Sequence, residues 1–168
     1  VMTQQLKIAI GSDHGGFELK EQLAAYLRSQ GHAVQDCGTT GKDAVDYPRF
    51  AHAVAQRVAR KEADFGIVVD GAGIGSAMTC NKVPGVLAAA CYNEALARNA
   101  REHNNANVLT LGAGQTDLAL AQQIANIFLA TACTADRHLG RVRLIKEIEG
   151  SYMAAAATGP DLSPEDIQ

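Results

Sequence analysis

The sequence predicts an open α/β fold, a parallel sheet with helices on both faces, and three observations carry that reading. Short apolar runs rich in β-branched residues recur along the chain. Segments with helical spacing, about 10–15 residues each, separate them. The first and third runs break into glycine-rich turns. Helical crossovers, unlike two-residue hairpins, bring successive strands into parallel register.

Leu6 to Ile10 is the first expected strand, closed by Gly11-Ser12-Asp13-His14-Gly15-Gly16. Phe17, Leu19, Leu23, Tyr26 and Leu27 then recur at helical spacing, so a helix is expected over Phe17 to Gln30, with Gly31 as its natural C-cap. Ala33 to Cys37 is a shorter strand, and Gly38 to Asp46 a polar loop. Tyr47-Pro48 opens a helix that runs to about Lys61, since proline is well placed in a first helical turn. A strand over 66–70 follows, then a glycine turn and a short helix from Ala77 to Lys82. Val83 to Tyr92 holds a fourth strand, and Asn93 can cap a helix from Glu94 to His103. Asn107 to Leu111 is the fifth strand, and helices are expected over Leu118 to Thr131 and Arg137 to Glu149. Residues 1–150 thus read as one domain. Residues 151–168 form a tail that is flexible or docks elsewhere, with one turn of helix possible at Ser163-Pro164-Glu165.

The stretch Phe65 to Met78 organises the rest. An apolar strand ends on Asp70 and gives way to Gly71-Ala72-Gly73-Ile74-Gly75-Ser76. Glycines at alternate positions leave backbone amides uncovered, and a following helix adds partial positive charge, so the loop suits an anion or a developing oxyanion. Asp70 stands at the mouth of this loop either as a reactive carboxylate or as a turn cap.

Composition sets the outer bounds. The chain has 168 residues, 47% hydrophobic and 20% charged, with a net charge of -3. That balance gives no electrostatic case for nucleic acid or an anionic membrane. No apolar run approaches the ~20 residues of a membrane-spanning helix, and the N-terminus passes straight into strand-like sequence, so a cytoplasmic location is expected. Cys37, Cys80, Cys91 and Cys133 lack paired spacing and read as reduced thiols rather than metal ligands. No metal is expected. Nor is a dinucleotide: the first turn is not G-x-G-x-x-G, and Asp36 therefore stands without the fingerprint it would accompany.

Ligands of open parallel sheets bind at the carboxyl ends of strands, where Asp13-His14 and Asp70 to Ser76 both fall. Asp13 beside His14 can serve acid–base chemistry, or Asp13 can close an Asx turn. Arg137 and Arg141 share a helix face four residues apart, which suits either a phosphate or solvent. His103 ends a helix, four residues ahead of the fifth strand, near the opposite sheet edge.

Gly-Ser-Asp-His-Gly-Gly-Phe, Val-Asp-Tyr-Pro, Gly-x-Gly-Ile-Gly, Asn-Lys-Val-Pro-Gly-Val, Glu-His-Asn-Asn-Ala-Asn-Val-Leu and Arg-His-x-x-Arg-Val occur in that order. Together, over about residues 6–150, they resemble the type B ribose-5-phosphate isomerases and the related galactose-6-phosphate isomerase subunits. The resemblance implies a Rossmann-like three-layer sandwich with a five-stranded parallel sheet. It implies aldose–ketose isomerisation of a phosphorylated sugar without cofactor, in a homodimer or tetramer. It places phosphate binding on Arg137, Arg141 and His14, ring opening on His103 with Asn104 beside it, and sugar contacts on Asp13 and Tyr47. Where such isomerases often carry a catalytic cysteine this chain has Asp70, and where they have a hydroxyl residue it has Ala72. Ser76 stands where some members place a glutamate base, and Gly114 where an arginine is common. An aspartate at the cysteine position is similar to one of the galactose-6-phosphate isomerase subunits, which suggests a paralogous partner.

The expectation is therefore a sugar-phosphate isomerase in which Asp70 moves the proton, His103 opens the ring, and the amides of Gly71 to Ser76, Gly73 and Gly75 among them, stabilise an enediolate. The alternative is a non-catalytic sugar-phosphate-binding or partner subunit. Because Asp70 closes a strand while His103 precedes one, at the opposite sheet edge, an active site shared between two antiparallel chains is expected.

Overall fold

A computed structural model describes residues 4–158. The chain runs β1 (Lys7–Ser12), α1 (Phe17–Ser29), β2 (Ala33–Asp36), α2 (Tyr47–Ala59), β3 (Phe65–Asp70), α3 (Ile74–Cys80), β4 (Ala88–Ala90), α4 (Glu94–Glu102), β5 (Val108–Gly112), α5 (Leu118–Ala130) and α6 (Asp136–Thr158). All strands pair in parallel in the order β2-β1-β3-β5-β4. The predicted three-layer α/β sandwich is the observed one.

Both faces of the central strands are covered, which is why their sequences are continuous apolar runs rather than alternating ones. Ile8, Ile10, Ile67, Val69, Leu109 and Leu111 meet Leu23 and Leu27 of α1, Ala97 of α4, and Ile124 and Phe128 of α5. On the other face Ala9, Val68 and Val108 meet Ala51, Val54 and Val58 of α2 and Cys80 of α3. Leu23 is fully buried, so Leu23→Ala would cost about 2–5 kcal/mol in transfer and cavity terms.

The chain leaves β1 for β2 on one side and returns to β3 on the other, so the β1 and β3 loops diverge from a common edge. That topological switch point is where such sheets open a crevice.

Besides shifts of one or two residues, such as β1 running on to Ser12, three boundaries differ from expectation. The helix after the glycine turn begins at Ile74 instead of Ala77, because Gly73 at φ 78° turns the chain at once. Of the apolar stretch 83–92 only Ala88–Ala90 joins the sheet. Before it, the Val86 amide bonds back to the Val83 carbonyl, and Gly85 has φ 86°. The last helix continues through Gly150 to Thr158. Its four alanines, Ala154 to Ala157, have the highest intrinsic helix preference. Residues 159–168, with Ser163-Pro164-Glu165, lie outside the described residues.

Candidate active site

The carboxyl edge of the sheet is held in place by backbone contacts that only small residues permit. Asp13 follows β1, its amide bonding to Val69 O at 3.3 Å and its Oδ1 accepting from Gly16 N at 3.0 Å. A Cβ on Gly16 would stand 2.1 Å from Val69 O, so this turn requires glycine. Among the described residues no donor is set against Asp13 Oδ2. His14 is exposed, with Nδ1 3.2 Å from both the amide and the carbonyl of Val45.

Val45 belongs to the loop before α2, and that loop hangs from a buried cation. Lys20 is fully buried on α1 and donates to both oxygens of Asp36 at 2.9 Å and to Thr39 O at 2.6 Å. A buried ammonium without such partners would be strongly unfavourable. The loop then delivers Tyr47, the first residue of α2, whose ring lies over the glycine turn: a Cβ at Gly75 would fall 2.4 Å from Tyr47 Cζ.

The glycine turn is clamped from outside. Thr110 Oγ1 donates to Gly73 O and Tyr92 Oη to Ala72 O, each at 2.6 Å, and Gly114 N donates to Gly71 O at 3.0 Å. Asp70 fills it from inside. Its Oδ1 accepts from the amides of Ala72, at 3.1 Å, and Gly73. Its Oδ2 accepts from the amide of Ser76 at 3.1 Å and from Ser76 Oγ at 2.6 Å. A carboxylate offers about four lone-pair directions, and all are taken. Asp70 is 4% exposed and Ser76 not at all. The carboxylate expected to take a proton from substrate hydrogen-bonds to amides that are expected to face an enediolate. Its charge, after burial, also helps push the Cys80 thiol up to about 12.

A second cluster forms at the amino edge. His103 is exposed at the end of α4, and its ring stacks on His138 of α6 with centroids 4.0 Å apart and planes inclined by 29°. His138 is 3% exposed, and its Nδ1 has no hydrogen-bond partner. Burial first, then the charges of His103, Arg137 and Arg141, hold His138 below the usual histidine value, against a smaller opposing pull from the Glu102 backbone. Arg137 and Arg141 are exposed. Asn104 Nδ2 reaches Asn99 Oδ1 at 3.1 Å, and Asn99 Nδ2 in turn lies 3.2 Å from His103 Nδ1.

The fold thus assembles two groups. Asp13, His14, Tyr47 and the loop with Gly71, Gly73, Gly75 and Ser76 share one edge; His103, Asn104, Arg137 and Arg141 share the other. A strand the length of β5, Val108–Gly112, spans about 17 Å between them. Sequence reasoning gave no role to Lys20, Asn99 or His138. Lys20 was detectable, since it falls on the buried stripe of α1 with Leu23 and Leu27. His138 lay within Arg-His-x-x-Arg-Val, but spacing alone does not show a ring stack.

A family profile described as Ribose/Galactose Isomerase matches residues 8–145. The chain is 38% identical over 156 residues to ribose-5-phosphate isomerase B of Mycolicibacterium paratuberculosis, covering 92% of this chain and 98% of the relative. It is 40% identical over 143 residues to the Escherichia coli protein of that name, with 85% and 96% covered. Among solved structures it is similar to Clostridium thermocellum ribose-5-phosphate isomerase B, at 47% identity and a TM-score of 0.86, over 88% of this chain and 99% of that one.

Proposed function

The chain belongs to the ribose/galactose isomerase family, and on that footing we propose that two copies of it build each catalytic site, one supplying the carboxyl edge and the other the amino edge. Its activity is aldose–ketose isomerisation of a phosphorylated sugar, and the non-catalytic alternative is not favoured by relatives of this length. The pair we assign first is ribose 5-phosphate and ribulose 5-phosphate, in keeping with the names of those relatives.

The observation that carries the shared site is the placement of the two clusters at opposite edges. Each edge also presents apolar surface that a second copy can cover. Ile74 and Met78 are 52% and 64% exposed on α3, while Leu144, Ile148 and Tyr152 are 57%, 60% and 67% exposed on α6. An isologous dimer sets one patch against the other twice.

In this reading Arg137 and Arg141 of one copy, with His14 of the other, hold the phosphate dianion through charge-assisted bonds. His103 gives a proton to the ring oxygen and opens the sugar. Asp13, through its uncommitted Oδ2, moves the proton between the adjacent carbons, while Tyr47 and Asn104 line the chain of hydroxyls. Asp70 does not touch substrate; it fixes the glycine loop. The enediolate is left the loop amides Asp70 does not use, those of Gly71, Ile74 and Gly75. We place the enzyme in the cytoplasm, and no helix among the described residues is long and apolar enough to cross a membrane.

The test is to assay the purified homomeric protein on four- to six-carbon aldose and ketose phosphates. Turnover of the five-carbon pair is expected. Turnover of none would sink the enzyme reading for a chain without a paralogous partner.

A further inference from the structure

We infer that Asn99 is a positioning residue which fixes His103 in the tautomer with its proton on Nε2, the form able to donate to a sugar ring oxygen. The inference rests on the ring-opening role given to His103 above.

The argument is one of donors and acceptors. A side-chain amide nitrogen only donates, so Asn99 Nδ2 at 3.2 Å requires His103 Nδ1 to accept. The orientation of the Asn99 amide is itself set. Asn104 Nδ2, also only a donor, lies 3.1 Å from Asn99 Oδ1 and 3.4 Å from Asn99 O. An inverted Asn99 would place two donors face to face. With Nδ1 accepting, a neutral ring carries its hydrogen on Nε2. Nε2 faces Glu102 Oε1 at 3.7 Å, an acceptor on the side where the hydrogen lies. The stack on buried His138 fixes the plane of the ring, so tautomer and direction are both defined before substrate arrives. Asn99 on α4 and His103, the residue that caps its end, lie one turn apart, where i and i+4 side chains meet. Asn104 follows the helix and reaches back to the same turn.

The experiment uses the full chain labelled with 15N in its histidine rings, with His103→Gln identifying the His103 signals. The parent is expected to show His103 protonated at Nε2 when neutral. Asn99→Asp sets an acceptor against Nδ1 and should move the hydrogen there. Turnover should fall by roughly tenfold or more, up to the 10²–10⁴ a general acid contributes, and KM should change by less than about twofold. Asn99→Leu, which sets no group against Nδ1, should give a mixture of tautomers and an intermediate rate. A parent protonated at Nδ1, or an unchanged tautomer in Asn99→Asp, overturns the proposal while leaving the role of His103 intact. Full activity in His103→Ala would instead overturn the reading on which it rests.

Discussion

The side chains of Asp70 and Ser76 close on each other through a 2.6 Å hydrogen bond, with the Ser76 amide on the same carboxylate oxygen. The contact ties the end of β3 to the first turn of α3, which supports the proposed anchoring role of the carboxylate. Replacing Asp70 with Asn keeps an oxygen for Ala72 and Gly73 but turns an NH2 group toward two donors. Hydrogen bonds to a charged group contribute about 1.5–3 kcal/mol each, so Asp70→Asn should lose about 2–4 kcal/mol of stability, and Ser76→Ala less. Denaturant titration measures both. An Asp70→Asn protein as stable as the parent but inactive would return Asp70 to the role of base.

The shared site is tested by mixing subunits. Asp13→Asn damages the carboxyl edge and His103→Ala the amino edge, so each homodimer should be inactive. A mixed dimer has one doubly damaged site and one intact site. Random exchange of equal amounts should therefore restore about one quarter of parental activity. No recovery, with exchange confirmed by mass, would mean that both residues serve a site within one chain.

Removing Arg137 or Arg141 should weaken sugar-phosphate binding by about tenfold or more, from the loss of a charge-assisted bond. Inorganic phosphate, used as a competitive inhibitor, should weaken in parallel, because the lost contact is to the phosphate group. Inhibition unchanged in both variants would leave the arginines as a solvated face. Gly114 supplies no guanidinium of its own, so each arginine should matter more here than in a relative with a third.

His138 makes the fold sensitive to acid. Its value in the folded chain lies below 6.5 because burial and three neighbouring cationic or titrating groups disfavour its charge. The unfolded chain therefore binds that proton more readily. The contribution is fully present above pH 6.5 and is lost as pH falls through the folded value. Melting temperature should drop more steeply below that pH in the parent than in His138→Gln. Phosphate bound on Arg137 and Arg141 should lessen the drop. Equal slopes in the two proteins would show that His138 is not the group responsible.

Much of this was legible in the sequence because it rests on periodicity and punctuation. The five strands, their parallel pairing and the Asn93 cap, which does accept from Leu96 N at 2.8 Å, follow from apolar runs, helical crossovers and capping chemistry. The placement of His103 opposite Asp70 followed from chain direction alone. The orientation of Asp70 did not, because it depends on Gly73 turning at positive φ and on Ser76 coming round to meet the carboxylate. The alanine tract read as tail also continues α6, since helix preference at residues 154–157 outweighs the glycine at 150. Polar partnerships such as Lys20 with Asp36, or His103 with His138, arise from packing of distant elements and leave little trace in spacing.

Under the proposed shared site, catalytic output depends on how many chains a cell holds. When chains are scarce relative to their dissociation constant, the number of complete sites grows with the square of their number. Halving synthesis then removes about three quarters of the activity, and doubling it gives about fourfold more. A self-contained site would scale in simple proportion. On that proposal, expression level acts as an amplifier at low copy number, and its effect becomes linear once most chains are paired.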